Sequence, residues 1–149
     1  MRLHKYLTGV AYLTLALTIT IIGYGLALLL WPYPLPVNKD ETVKVISKTV
    51  KPGEPVIIGI DVCYPQDEQL LVYRKLHLVE NDILQRVYNL PELKVNIKKG
   101  CYATTTGSNI VPEIALPGTY YLEFTTVIEA NALRKIQFTY KTEIFEVKP

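Results

Sequence analysis

The sequence predicts a mainly β protein: a single N-terminal transmembrane helix followed by one antiparallel β-sandwich. Three observations carry this. Residues 6–31, YLTGVAYLTLALTITIIGYGLALLLW, contain no charged side chain. Beyond residue 38, apolar and polar residues alternate at period two, and turn residues interrupt the alternation at short intervals. Tyrosine is frequent, 11 of 149 residues, and most of it lies in that second part, where Tyr and Thr favour strands.

The apolar stretch comes first. Arg2, His4 and Lys5 precede it, and the next charge is Lys39. Its 26 residues span about 39 Å as a helix, against a hydrocarbon core of about 30 Å, so it crosses with some tilt. The short basic flank 1–5 is expected in the cytoplasm, which places the C-terminal part periplasmic, extracellular or on the outside of a virion membrane. Lys39, Lys44, Lys48 and Lys51 count the other way, but long following domains translocate largely regardless of charge. Gly25 and Ala27 form a small-x-small pair of the kind a signal peptidase needs, yet Leu28, Leu29, Leu30 and Trp31 continue the apolar run. The segment therefore reads as an uncleaved signal anchor. Gly9, Ala16, Thr20, Gly23 and Ala27 share one helical face, where small residues admit a second transmembrane helix. The same residue types are frequent in membrane helices without any partner. Tyr6, Trp31 and Tyr33 suit the headgroup levels. Residues 32–38, with three alternating prolines, read as a short stiff stalk.

Residues 39–149 form the predicted ectodomain. Arg2 and Lys5 account for the whole net charge of +2, which leaves 14 basic against 14 acidic residues beyond the anchor. A neutral domain lacks the basic face that phosphate neutralisation needs, so nucleic acid is not an expected partner. Cys63 and Cys101 are the two cysteines, both beyond the membrane, and are expected to form a disulfide in an oxidising compartment. Closing that loop contributes about 4 kcal/mol by chain entropy.

Strands are expected at 42–50, 55–64, 69–80, 83–88, 93–97, 101–106, 119–129 and 134–147. Residues 51–54, Lys-Pro-Gly-Glu, form a turn in which Gly supplies the unusual backbone angle. In 55–64, Val56, Ile58, Ile60 and Val62 make one apolar face. Cys63 lies out of phase with them, so the bridge is expected to tie a strand end to a neighbour rather than cross the core. In 119–129, Tyr120, Leu122, Phe124 and Ile128 face one way. In the last strand, Ile136, Phe138 and Tyr140 have the opposite parity to Phe145 and Val147, which predicts a bulge near Thr142. Residues 130–133 join the last two strands as a hairpin.

Residues 117–122, Pro-Gly-Thr-Tyr-Tyr-Leu, resemble the tyrosine corner of immunoglobulin-like and fibronectin type III-like sandwiches. Gly118, Tyr120 and Leu122 match its small, Tyr and apolar positions. The resemblance implies an immunoglobulin-like sandwich in which the Tyr120 hydroxyl bonds nearby backbone. Leu122 stands where the immunoglobulin family has its second Cys, and no Trp lies in the third strand, so the inter-sheet bridge of that family is absent.

A search for chemistry returns little. The histidines are His4 and His77, with no second ligand at zinc spacing. Ser47 and Ser108 lie in no nucleophile elbow. Asp61, Asp67, Glu68, Glu80 and Asp82 follow no calcium-loop spacing. The segment 104–109, TTTGSN, lacks the Lys of a phosphate loop, and Lys94, Lys98 and Lys99 read as a solvated face. None of the six Asn residues begins a glycosylation sequon, which points to a bacterial, archaeal or viral surface. No catalytic, metal or cofactor residue is expected. The anchor-plus-sandwich layout resembles small membrane proteins of phages and prokaryotes. The expected role is binding or structural: a domain held on the lipid bilayer and presented to a protein partner, or an accessory subunit docked through its helix. Asn131, Leu133 and Arg134 of the final hairpin are the candidate contact, at a tip expected to lie far from the membrane; the alternative is that Leu133 folds back over the sandwich end and closes the core.

Overall fold

The structure is a computed structural model. It describes residues 2–38, 42–79 and 86–149, and excludes the side chains of residues 2–8 and 38. The expected strand at 83–88 lies partly outside the described residues. Two compact units emerge: Met1–Tyr33 together with Ala130–Lys135, and Pro34–Glu129 together with Ile136–Pro149.

In the first unit, helix α1 (Arg2–Leu30) contains an apolar segment, Gly9–Leu30, of 22 residues. That segment is long and apolar enough to cross a bilayer, and its most apolar stretch is not packed inside the protein. Its threonines do not break it. Thr18 Oγ1 donates to Thr14 O at 2.8 Å and Thr20 Oγ1 to Ala16 O at 2.9 Å, which returns each hydroxyl to the helix's own backbone.

The second unit is mainly β, with two sheets facing each other. In one sheet β4 (Pro55–Tyr64) is central. It pairs with β7 (Gly100–Ile110) on one side, and with β1 (Val37–Asn38) and β2 (Lys44–Val45) on the other. In the other sheet β8 (Gly118–Asn131) lies between β5 (Glu68–Leu78) and the pair β9 (Arg134–Lys141) and β10 (Phe145–Val147). Strand β6 (Val87–Ile97) lies outside β5, and β3 (Thr49–Val50) outside β10. Val56 and Ile58 from the first sheet meet Leu76, Leu78, Tyr120, Leu122, Phe145 and Val147 from the second in one buried cluster. Val56, Ile58, Tyr120 and Leu122 belong to the period-two apolar faces read from the sequence, and the burial of the cluster removes apolar surface from water.

Several strands differ from expectation, each for a local reason. The first expected strand, 42–50, divides between the two sheets as β2 and β3, and Ser47 stands at the crossing with its Oγ accepting from Ile57 N at 2.7 Å. The sandwich is not wholly antiparallel, because β3 runs parallel to β10. A parallel bridge between Val43 and Thr142 closes the same side. Strand β6 runs continuously through Pro91, which an edge strand tolerates because one side of it needs no amide donor. Strand β7 likewise continues through Gly107, Ser108 and Asn109. The phase change near Thr142 is a break between β9 and β10. There Thr142 Oγ1 accepts from Leu122 N at 2.9 Å and takes the place of a ladder bond. The turn at 51–54 forms as read, with Gly53 at φ 85° and Glu54 N donating to Lys51 O at 3.0 Å.

Candidate functional site: a cavity between the sheets

The residues singled out in the sequence fall in three separate places. Cys63 and Cys101 are bonded and stand directly opposite one another on β4 and β7, with Cα atoms 4.0 Å apart. The bridge therefore ties two neighbours within one sheet, at strand ends, and does not cross the core. Gly9, Ala16, Thr20, Gly23 and Ala27 lie along α1, and nothing lies within 4 Å of a Cβ built at Gly9 or Gly23.

The hairpin differs from expectation. Its tip belongs to the same compact unit as the helix, so it is not a free loop remote from α1. Asn131 Nδ2 donates to Leu28 O at 2.8 Å, and Arg134 Nη1 donates to Trp31 O at 3.0 Å and Leu29 O at 3.4 Å. A helix leaves its last carbonyls without intrahelical donors and carries partial negative charge at that end. The last turn of α1 has no basic residue of its own, and Arg134 supplies the cation. Leu133 is 56% exposed, so it closes no core.

The feature that the sequence reading missed lies inside the sandwich. A cavity of about 550 Å³ separates the sheets, with Ile60, Val62, Val72, Val95, Ile97 and Phe124 among its apolar walls. Arg74 and Asn109 are polar residues on its lining, 4% and 1% exposed. Arg74 sits at a core position of β5, in phase with Leu70, Leu76 and Leu78. Two β-bulges explain it. The β5–β6 register shifts between Val72 and Arg74, opposite Leu93 and Leu90, and the β4–β7 register shifts between Val56 and Ile58, opposite Asn109 and Thr106. Each edge strand thus carries one extra residue, whose backbone has left its ladder. Arg74 serves both bulges. Its Nε and Nη2 donate to Pro91 O at 3.1 and 2.6 Å, and its Nη1 donates to Ser108 O at 2.9 Å. A fourth bond runs from Nη1 to Asn109 Oδ1 at 3.1 Å.

The electrostatics of the cavity follow from burial. Burial pulls Arg74 below its ordinary value, and a guanidinium stays charged even so. Among the described residues no carboxylate forms an ion pair with it. Tyr64 is pushed up to about 12, chiefly by burial and then by Tyr140, Glu68 and Tyr102, and burial also raises Tyr140. Both phenols are neutral at physiological pH. Since Arg74 donates to Asn109 Oδ1, the orientation of that amide is fixed. Its Nδ2, fully buried, has no hydrogen-bond partner among the described residues.

On the outer face of the larger sheet, His77 stacks on Tyr121 with ring centroids 4.7 Å apart, and its Nε2 lies 3.8 Å from Glu123 Oε1. Burial lowers its pKa, against the pull of Glu123. Among the described residues no three His, Cys, Asp or Glu gather as metal ligands.

The sequence did carry a signal for the cavity residue. Arg74 has the parity of the apolar face in an otherwise alternating strand, and the shift from Tyr88 and Leu90 to Leu93 and Val95 marks the bulge opposite it. Nothing local marks Asn109 as buried, or Asn131 and Arg134 as helix caps, because their partners are distant in the chain.

No family model matches the chain, and no curated protein matches it. Among solved structures it is similar to Pseudomonas fluorescens alkylpurine DNA glycosylase AlkC bound to DNA containing an abasic site analog. The similarity has a TM-score of 0.41 at 12% identity and covers 79% of this chain. The chain spans about a third of that protein, 32%.

Proposed function

We propose that the protein is a single-pass membrane protein that presents an immunoglobulin-like, disulfide-linked sandwich outside the cytoplasm. It acts there as a binding or structural module for a protein partner in a cell envelope or virion membrane. It is not an enzyme. One observation carries the reading: a charge-free helical segment of bilayer length, Gly9–Leu30, precedes a domain whose two cysteines are bonded. Disulfides persist in oxidising compartments, and a short basic flank stays in the cytoplasm. The Tyr120 Oη–Leu116 O bond of 2.7 Å supports the immunoglobulin-like resemblance, because it has the geometry that a tyrosine corner requires. In intact cells treated with a mild reductant, a membrane-impermeant thiol reagent should label Cys63 and Cys101. Labelling confined to lysed cells would reverse the orientation and refute the reading.

A second reading is an accessory subunit of a larger membrane complex, of phage or prokaryotic origin, docked through the helix. The face of Gly9, Ala16, Thr20, Gly23 and Ala27 favours it, because the structure leaves open space at Gly9 and Gly23. Gly23→Leu would then release the protein from a larger complex on a native gel. An unchanged complex would count against docking through that face.

A further inference from the structure

The cavity has a chemistry that protein binding by an outer surface does not use. We propose that it is a binding site for a small amphipathic acid: an aliphatic body with a single terminal carboxylate, of the fatty-acid class. The inference rests on the reading of the domain as a binding module and adds a ligand to it.

The walls select the body. Ile60, Val62, Val72, Val95, Ile97 and Phe124 offer apolar surface and little competition for hydrogen bonds. A volume of about 550 Å³ falls in the range of small-molecule sites, about 300–1,000 Å³. The edge strands β6 and β7 flank the way in, where Asn96, Lys98 and Thr104 are exposed cavity residues. The bilayer beside such a domain is a reservoir of molecules of this class.

Arg74 and Asn109 select the head. A guanidinium has five N–H donors, and the four bonds to Pro91, Ser108 and Asn109 leave one Nη2 hydrogen over. Asn109 Nδ2, on the amide whose Oδ1 accepts from Arg74, is buried and has no hydrogen-bond partner among the described residues. Both are donors, so they call for an acceptor. The neighbouring cation has no ion-paired carboxylate among the described residues, so it calls for a negatively charged acceptor. A carboxylate meets both requirements with two oxygens in one plane. A hydroxyl or an ester offers no charge.

The test uses the full chain in lipid nanodiscs and a photoactivatable diazirine analogue of decanoic acid, with labelled residues mapped by mass spectrometry. Label is expected on β6 and β7 at residues that line the cavity. Decanoate should compete at a concentration at least tenfold lower than methyl decanoate or decanol. Val95→Trp, which fills the cavity from an edge strand, should abolish the label while preserving the melting temperature within a few degrees. Label confined to the helix, or persisting in Val95→Trp, would overturn the site. Equal competition by acid, ester and alcohol would overturn the carboxylate assignment. Nanodiscs expose both faces of the bilayer, so these results are independent of the orientation assay.

Discussion

Tyr120 is fully buried, and its ring stands between Phe145 and Tyr88, with centroids 6.4 and 6.3 Å away. Its hydroxyl reaches back to Leu116 O across the turn that begins β8. Tyr120→Phe keeps the ring and deletes that bond, so unfolding experiments should show a loss of about 0.5–1.5 kcal/mol. An unchanged midpoint would mean that water satisfies the carbonyl equally well. Gly118 precedes it by two residues for a steric reason. A Cβ there would lie 2.6 Å from Leu78 Cδ1, and Leu78 is itself buried. Gly118→Ala should therefore cost about 1–3 kcal/mol through overpacking, measured in the same denaturant series.

At the scale of elements, the two edge strands are held by one side chain. Each bulge frees backbone carbonyls, and Arg74 collects both Pro91 O and Ser108 O. Arg74→Met should leave these acceptors unsatisfied and destabilise the domain by about 2–5 kcal/mol. Amide exchange should accelerate first around residues 91 and 108, and exchange that rises uniformly across both sheets would argue against a local role. Strands with an unbroken period were legible in the sequence. Strand β4 has the bounds read for it, and Cys63 lies at the strand end opposite a neighbour because its parity differs from that of Val56, Ile58 and Val62. The core residues Tyr120, Leu122 and Ile128 of β8 were legible for the same reason. What the alternation conceals is any change of partner. In residues 42–50 the apolar parity changes from Val43 and Val45 to Ile46 and Val50, but that change does not say that the segment serves two sheets, because crossing between sheets depends on Ser47 and on what β10 offers. The cavity was illegible as a whole, since its polar residues Arg74 and Asn109 meet only when two bulged edges face each other.

For the whole molecule, the buried ionisable groups set a pH window. His77 is held below its ordinary value of 6.5, so the unfolded chain binds a proton that the fold resists. That contribution is complete above pH 6.5 and is lost as pH falls below it. Tyr64 and Tyr120 are pushed from 10.0 up to about 12, so the folded protein favours the neutral phenols. Their contribution is complete below pH 10 and is lost as pH rises from there towards 12. The melting temperature should form a plateau between about pH 6.5 and pH 10 and fall on both sides. His77→Phe keeps a ring against Tyr121 and removes the titration, so the decline just below pH 6.5 should flatten. If it persists in that variant, other groups cause it. Cys101→Ser should lower stability by about 4 kcal/mol at any of these pH values, read from chemical denaturation without reductant.

The place of the disulfide has a mechanical consequence. Between Cys63 and Cys101 the chain leaves one sheet, runs out and back as β5 and β6 in the other, and returns as β7. The covalent ring thus encloses β5 and β6, and with β6 one edge of the larger sheet. Tension applied along the chain passes from residue 63 to residue 101 through the sulfur bridge, and the segment between them carries none of it. A molecule stretched by its termini should yield a contour shorter by about 130 Å than its length in residues implies, from a separation of 38 residues at about 3.3–3.6 Å each. That hidden length should appear only when a thiol reductant is added under load. Until then the lining residues carried by β5 and β6 stay inside a closed loop, even while the strands outside it are pulled straight.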